Sequence, residues 1–175
     1  MSLLLVGHPP ALRAQAPALR DGSHDFDFEF GAWHAHLRRL LHPLSSSTNW
    51  VEYDALSTVH EVWGGKANLG EFKIDSPALK LEGLSLRLYN PASHQWSIRW
   101  SNAADGQVGP PMIGEFKDGR GLFFDQEEFG GRAILVRFIF SDISPAAFKL
   151  EQAFSADGGA SWEPNWLVSF TRPKP

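Results

Sequence analysis

Ser155-Ala156-Asp157-Gly158-Gly159-Ala160-Ser161-Trp162 spells out a turn residue by residue. Asp bonds the turn backbone through its side chain, and Gly takes positive φ without steric cost. Alternating apolar runs flank it, Phe148 to Phe154 before and Trp162 to Phe170 after. The segment therefore predicts a β-hairpin.

The same pattern extends back through the chain. Alternating runs cover 33–41, 50–63, 66–74, 81–89, 95–101, 111–117, 121–129, 132–141, 148–155 and 162–171, ten strand candidates in all. Between them stand Gly64-Gly65, Asn90-Pro91, Asp105-Gly106, Asp118-Gly119 and Gly130-Gly131, each a turn signal. No amphipathic helix fits between these runs, so sequential strands should be antiparallel neighbours. Ten such strands either curl into a barrel or split into a sandwich, because a long open meander leaves its edges exposed. Residues 1–22, rich in Ala, Pro, Arg and Leu without a period, predict an N-terminal arm or tail; 23–175 predict a single β domain.

Composition points the same way. Thirteen Phe and seven Trp favour pleated, half-buried surfaces. A net charge of −4 gives no electrostatic reason to expect a nucleic-acid partner. The absence of cysteine excludes disulfides, thiolate metal sites and a Cys nucleophile. The start, Met1-Ser2-Leu3-Leu4-Leu5-Val6, lacks the basic region and apolar length of a signal peptide, and no stretch reaches the roughly 20 apolar residues of a membrane span. The chain reads as cytoplasmic, with Ala14-Gln15-Ala16 leaving a secreted or periplasmic alternative.

Three resemblances sharpen this reading. Ser155, Asp157, Gly159, Ser161 and Trp162 match the Asp-box turn of sialidases, a turn device and not an active site. Gly31-Ala32-Trp33 opening the first strand, with Arg172 closing the last, resembles the signature of calycins, the superfamily that includes lipocalins. More specifically, Phe28 through Trp33, Arg87-Leu88-Tyr89-Asn90-Pro91, Gln95-Trp96-Ser97, Gly119-Arg120-Gly121 and the 155–172 ending resemble an uncharacterised bacterial family of calycin-like barrels, a domain of unknown function. The resemblance implies an all-β, single antiparallel up-and-down barrel of about ten strands, with a short helical turn before the first. It implies that Phe26, Phe28 and Phe30, which alternate like a strand, lie in a turn that plugs the closed end. It also implies barrel closure by Gly31, Trp33 and Arg172, the guanidinium stacked on the indole, a contact worth about 0.5–2 kcal/mol. Some related barrels hold haem through a histidine on a late strand. Here the last histidine is His94, so no haem or other cofactor is expected.

Strand periodicity sorts the candidate ligand contacts. Trp96, Ile98 and Trp100 share a face, as do Trp166, Val168 and Phe170, Leu84, Leu86 and Leu88, and Ile134, Val136, Phe138 and Phe140. These faces either fill a core or line a ligand cavity. Arg87, Arg99 and Arg137 fall on the opposite register, where solvent is the simpler expectation. The alternative turns some of them into a partly polar barrel, where Arg87, Tyr89, Arg137, Glu151 and Asn165 would hold a carboxylate or phosphate head group. The ligand-binding set read from the sequence is thus Arg87, Tyr89, Trp96, Trp100, Arg137, Glu151, Asn165 and Trp166.

Chemistry-bearing motifs are sparse. His34 and His36 share a strand face, but nothing brings His24, His42, His60 or Glu61 to them, so no metal site is expected. Asp125, Glu127 and Glu128 lie beside Gly130-Gly131, and a solvated hairpin end is the simpler reading of them. Nucleophile-elbow, P-loop and dinucleotide motifs are absent, so an enzyme is the less favoured outcome. The sequence therefore predicts a barrel binding a small apolar or amphipathic molecule. A protein-interaction or self-associating module such as a homodimer, or a carbohydrate-binding β-sandwich, stands as the alternative.

Overall fold

The computed structural model describes residues 20–174. The predicted arm lies outside the described residues, apart from its last three. Ten strands follow one 3-10 turn at Asp27–Glu29: β1 Gly31–Leu40, β2 Trp50–Val62, β3 Ala67–Asp75, β4 Lys80–Asn90, β5 Gln95–Asn102, β6 Met112–Lys117, β7 Arg120–Phe129, β8 Arg132–Ser141, β9 Ala147–Ser155 and β10 Glu163–Thr171. Each pairs antiparallel with its sequence neighbours, and β1 pairs with β10 to close the barrel. Closure removes the open edges that a sandwich would leave, so the sandwich alternative is set aside.

Two-residue turns explain the short connections. Gly130 and Gly131 both take positive φ, 60° and 76°, as a type I′ turn between twisted strands requires. The Asp157 turn is wired as its residues suggest. Ser161 donates to Asp157 through both its backbone N–H and its hydroxyl, at 2.9 and 2.6 Å, and the Gly159 N–H donates to Ser155 Oγ at 2.8 Å.

The closed end is filled from the N-terminal side. Phe26 in the plug is fully buried, its ring 5.0 Å from Trp96, 4.9 Å from Phe116 and 5.3 Å from Phe140. Burial of such a ring stabilises by about 1.5–3 kcal/mol. Buried indoles need a hydrogen-bond partner, and the same segment supplies it: Trp33 Nε1 donates to the Glu29 carbonyl at 2.7 Å, and Trp96 Nε1 donates to Gly22 at 2.8 Å. Phe26, Phe28 and Phe30 thus belong to the plug and not to a strand.

Arg172 fastens that plug to the last strand. Its guanidinium carbon lies 3.6 Å from the Trp33 ring centroid. It donates to the carbonyls of Phe30 at 2.8 Å, Ala32 at 3.3 Å, Phe28 at 3.2 Å and Pro145 at 3.3 Å. Gly31 takes φ +97° beneath it, and a Cβ there would sit 3.1 Å from Arg172 Nη1.

Candidate functional site

The opposite end of the barrel opens into a cavity of about 730 Å³. Its walls are mainly apolar, with the rings of Phe72, Trp100, Phe138, Phe154, Trp166 and Phe170 among them. Loop residues Leu41, His42, Pro43 and Pro110 frame the mouth. Each of these rings comes from the inward half of an alternating strand, so the plug and this lining take up much of the aromatic excess of the composition.

The floor is polar. Arg87 on β4 points inward and is 8% exposed. Its Nη1 lies 2.8 Å from Glu29 Oε2 in the plug and donates to Asn68 Oδ1 on β3 at 2.9 Å. The guanidinium also sits over the Phe26 ring, 4.9 Å from its centroid. Burial pushes the Glu29 carboxyl up and the Arg87 guanidinium down, and each partner opposes the other's shift. Two polar atoms here have no hydrogen-bond partner among the described residues, Arg87 Nε and Asn68 Nδ2, and Glu29 Oε2 is met by the Arg87 ion pair alone. Room for Arg87 comes from the neighbouring strand, where a Cβ on Gly70 would lie 3.2 Å from Arg87 Nη1.

The position of Arg87 overturns the face expected for β4. Gly83, Ser85 and Arg87 are buried inside, whereas Leu84, Leu86 and Leu88 take the outer register and Leu84 is 40% exposed. The inner row of β4 has to be small, because Trp100 lies so close to Gly83 that any Cβ there would clash with its ring. The expectation holds in the other direction for Arg99 and Arg137, which point outward. Arg99 donates to the Gly109 carbonyl at 3.4 Å, and Arg137 pairs with Glu151 at 3.0 Å while stacking on Trp162 at 4.5 Å.

The ligand-binding set read from the sequence therefore divides. Arg87, Trp100, Asn165 and Trp166 line the cavity. Arg137 and Glu151 bond each other outside it, because strand alternation turns them away from Val136 and Gln152. Tyr89 and Trp96 lie below the floor at the closed end, where Tyr89 Oη accepts the Gly22 N–H at 3.1 Å. Asn165 reaches the interior through a β-bulge between Pro164 and Trp166, which puts it and Trp166 on the lining together.

Several lining groups escaped the sequence reading. Asp125 and Glu127 on β7 both border the cavity: Asp125 is half-buried, against the expected solvated hairpin end, whereas Glu127 is exposed as that expectation had it. Asp125 Oδ1 accepts the Gln126 N–H, and Asp125 Oδ2 is buried without a partner among the described residues. Burial, then the adjacent Asp125, holds the Glu127 carboxyl above its ordinary range. Arg39 at the mouth stacks over Trp166 at 5.9 Å, and Gln152 donates to Asn165 Oδ1 at 2.7 Å. The available signal was the period-2 alternation of β7, which sets Phe123, Asp125 and Glu127 on one face.

His34 and His36 lie on the outer face, and His36 pairs with Asp54 and Glu52. Among the described residues no group of three or more His, Asp or Glu side chains converges as a metal site would require. No described helix is long and apolar enough to cross a membrane.

No family model and no curated protein matches this chain. Among solved structures it is similar to an S-type phycobiliprotein lyase, CPES, from Guillardia theta, at 12% identity and a TM-score of 0.58, over 89% of this chain and 94% of that one. The likeness extends to the calycin-like barrel as a fold. Membership of the narrower bacterial family has no match behind it.

Proposed function

We propose that the barrel interior binds a small, largely apolar or amphipathic molecule. The observation that carries this is the cavity itself: about 730 Å³, walled by aromatic rings and carrying a few convergent polar groups. Small-molecule sites span about 300–1,000 Å³ and share that balance of apolar wall and sparse polar contact. A fold shared with a phycobiliprotein lyase is compatible with this reading. Binding is favoured over catalysis because Arg137 and Glu151, two of the polar groups on which a catalytic reading would draw, bond each other on the outer face.

Intrinsic tryptophan fluorescence tests it, since Trp100 and Trp166 both line the cavity. Titration with fatty acids, retinoids and porphyrins should give saturable quenching that Trp100→Phe and Trp166→Phe each reduce. Quenching that never saturates for any of them, or that neither substitution changes, sinks the reading.

A second reading, self-association through the outer wall, rests on a different observation. Ile113 and Phe124 are register partners on β6 and β7, and with Leu122 they are 40–42% exposed on one outward face. Contiguous apolar surface of this kind marks contact sites. Phe124→Glu should abolish any dimer seen by sedimentation, and a wild-type monomer at high concentration removes the case.

A further inference from the structure

We propose that the ligand of this cavity is a nitrogen-bearing amphiphile: a cationic or N–H nitrogen received by Asp125 and Glu127, and a carbonyl-type acceptor received by Asn165. This deepens the ligand-binding reading and rests on it.

Asp125 and Glu127 project from the same face of β7, and a two-residue step separates them by about 7 Å along the strand. Neither has an ion-pair partner among the described residues. The cavity's guanidinium groups are engaged elsewhere, Arg87 on Glu29 and Arg39 on the Trp166 ring. Asp125 Oδ2 is nonetheless shut away from solvent with no donor. A buried acceptor left without a donor is costly, so a ligand N–H placed there is rewarded and a ligand carboxylate is repelled. Burial, the charge of Asp125 and a hydrogen bond to Asp125 all raise the Glu127 carboxyl, and a cation placed beside the pair would offset the repulsion between the two carboxylates.

Asn165 supplies the second, independent observation. It is 3% exposed and lines the same cavity. Gln152 occupies its Oδ1, while Nδ2 has no acceptor among the described residues. That atom can only donate, so it calls for a ligand acceptor. Three strand spacings separate β7 from β10, roughly 14 Å around the wall. The two polar points are therefore set apart, with aromatic wall between them, as an apolar spacer with a polar group at each end would need.

Isothermal titration calorimetry on the full chain at neutral pH tests the proposal with four probes: dodecylamine, dodecanoate, dodecanol and N-acetyl-1,10-diaminodecane. Dodecylamine is expected to bind about tenfold or more tighter than dodecanoate. Asp125→Asn with Glu127→Gln should erase that preference while dodecanol affinity stays within about twofold. Glu127→Gln alone, at an exposed position, keeps the question open to answer if the double variant does not fold, and should reduce the preference. Asn165→Leu should weaken the acetylated diamine about fivefold and leave dodecylamine unchanged. Dodecanoate binding as tightly as the amine, or an amine preference that survives the carboxylate substitutions, overturns the nitrogen assignment. An acetylated diamine indifferent to Asn165→Leu overturns the acceptor assignment. Binding of none of the four sinks the ligand-binding reading itself, an outcome distinct from loss of the amine preference alone.

Discussion

Arg172 stacks 3.6 Å from the Trp33 ring centroid and meets four backbone carbonyls, with no carboxylate among its hydrogen-bond partners in the described residues. Its interactions are therefore planar and directional. Arg172→Ala is expected to destabilise the fold by about 1–3 kcal/mol. Arg172→Lys should recover only part, because an ammonium has neither the stacking face nor the fork of donors. Urea denaturation midpoints of the three proteins check the order.

Glu29 and Arg87 form a buried ion pair, 2.8 Å apart, beneath the cavity. Removing one partner strands the other, so Arg87→Met alone should cost about 3–5 kcal/mol. Glu29→Gln together with Arg87→Met should recover much of that loss. A double-mutant cycle by chemical denaturation measures the coupling, and strict additivity would show that the pair contributes nothing as a pair.

Asp157 accepts from the Ser161 hydroxyl and N–H and from the Ser155 hydroxyl, and these bonds hold its carboxyl down at about 2. A folded-state pKa below the ordinary 3.8 means that its contribution to hairpin order is present above that value. It is lost as pH falls through about 2. Carboxyl NMR titration should place the midpoint there, and Asp157→Asn should remove the acid-dependent loss of Gly159 and Ser161 amide protection.

Phe26 is the centre of the plug and touches rings from several strands. Phe26→Ala should cost about 3–5 kcal/mol, the range for emptying a buried aromatic site. Phe30→Ala, at a half-buried plug position, should cost clearly less. Comparison of thermal unfolding of the two variants tests whether the plug is a core element.

The parts legible in the sequence are those set by local chemistry. The ten strands follow from alternation and from Asp-Gly and Gly-Gly punctuation, with bounds within a residue or two of 121–129 and 162–171. The Trp33 and Arg172 positions were legible through a two-ended motif, which gives a contact without any knowledge of the strands between.

The face of β4 was not legible. Its leucines make the stronger apolar signal, yet they face outward because Trp100 crowds Gly83 from inside. Period-2 patterning gives two faces and does not say which is inner; neighbours on other strands decide. For the same reason Asp125 was read as solvated. A cavity keeps polar residues on an inward register that a filled core would exclude, so composition rules for cores misassign them. Glu29 was hidden differently: it sits in a plug turn, and only the folded chain brings it to Arg87, 58 residues on.

The β1–β10 seam joins the first strand to the last. During synthesis β1 emerges first and must wait for all the others before its second edge finds a partner. Until β10 leaves the ribosome, the growing sheet carries open hydrogen-bonding edges that invite pairing with other chains. Premature termination before residue 163 would thus leave one edge of β1 and one edge of β9 open, together with an unstapled plug. The final nine-residue strand acts as a timing device, converting an aggregation-prone meander into a sealed wall in one late step.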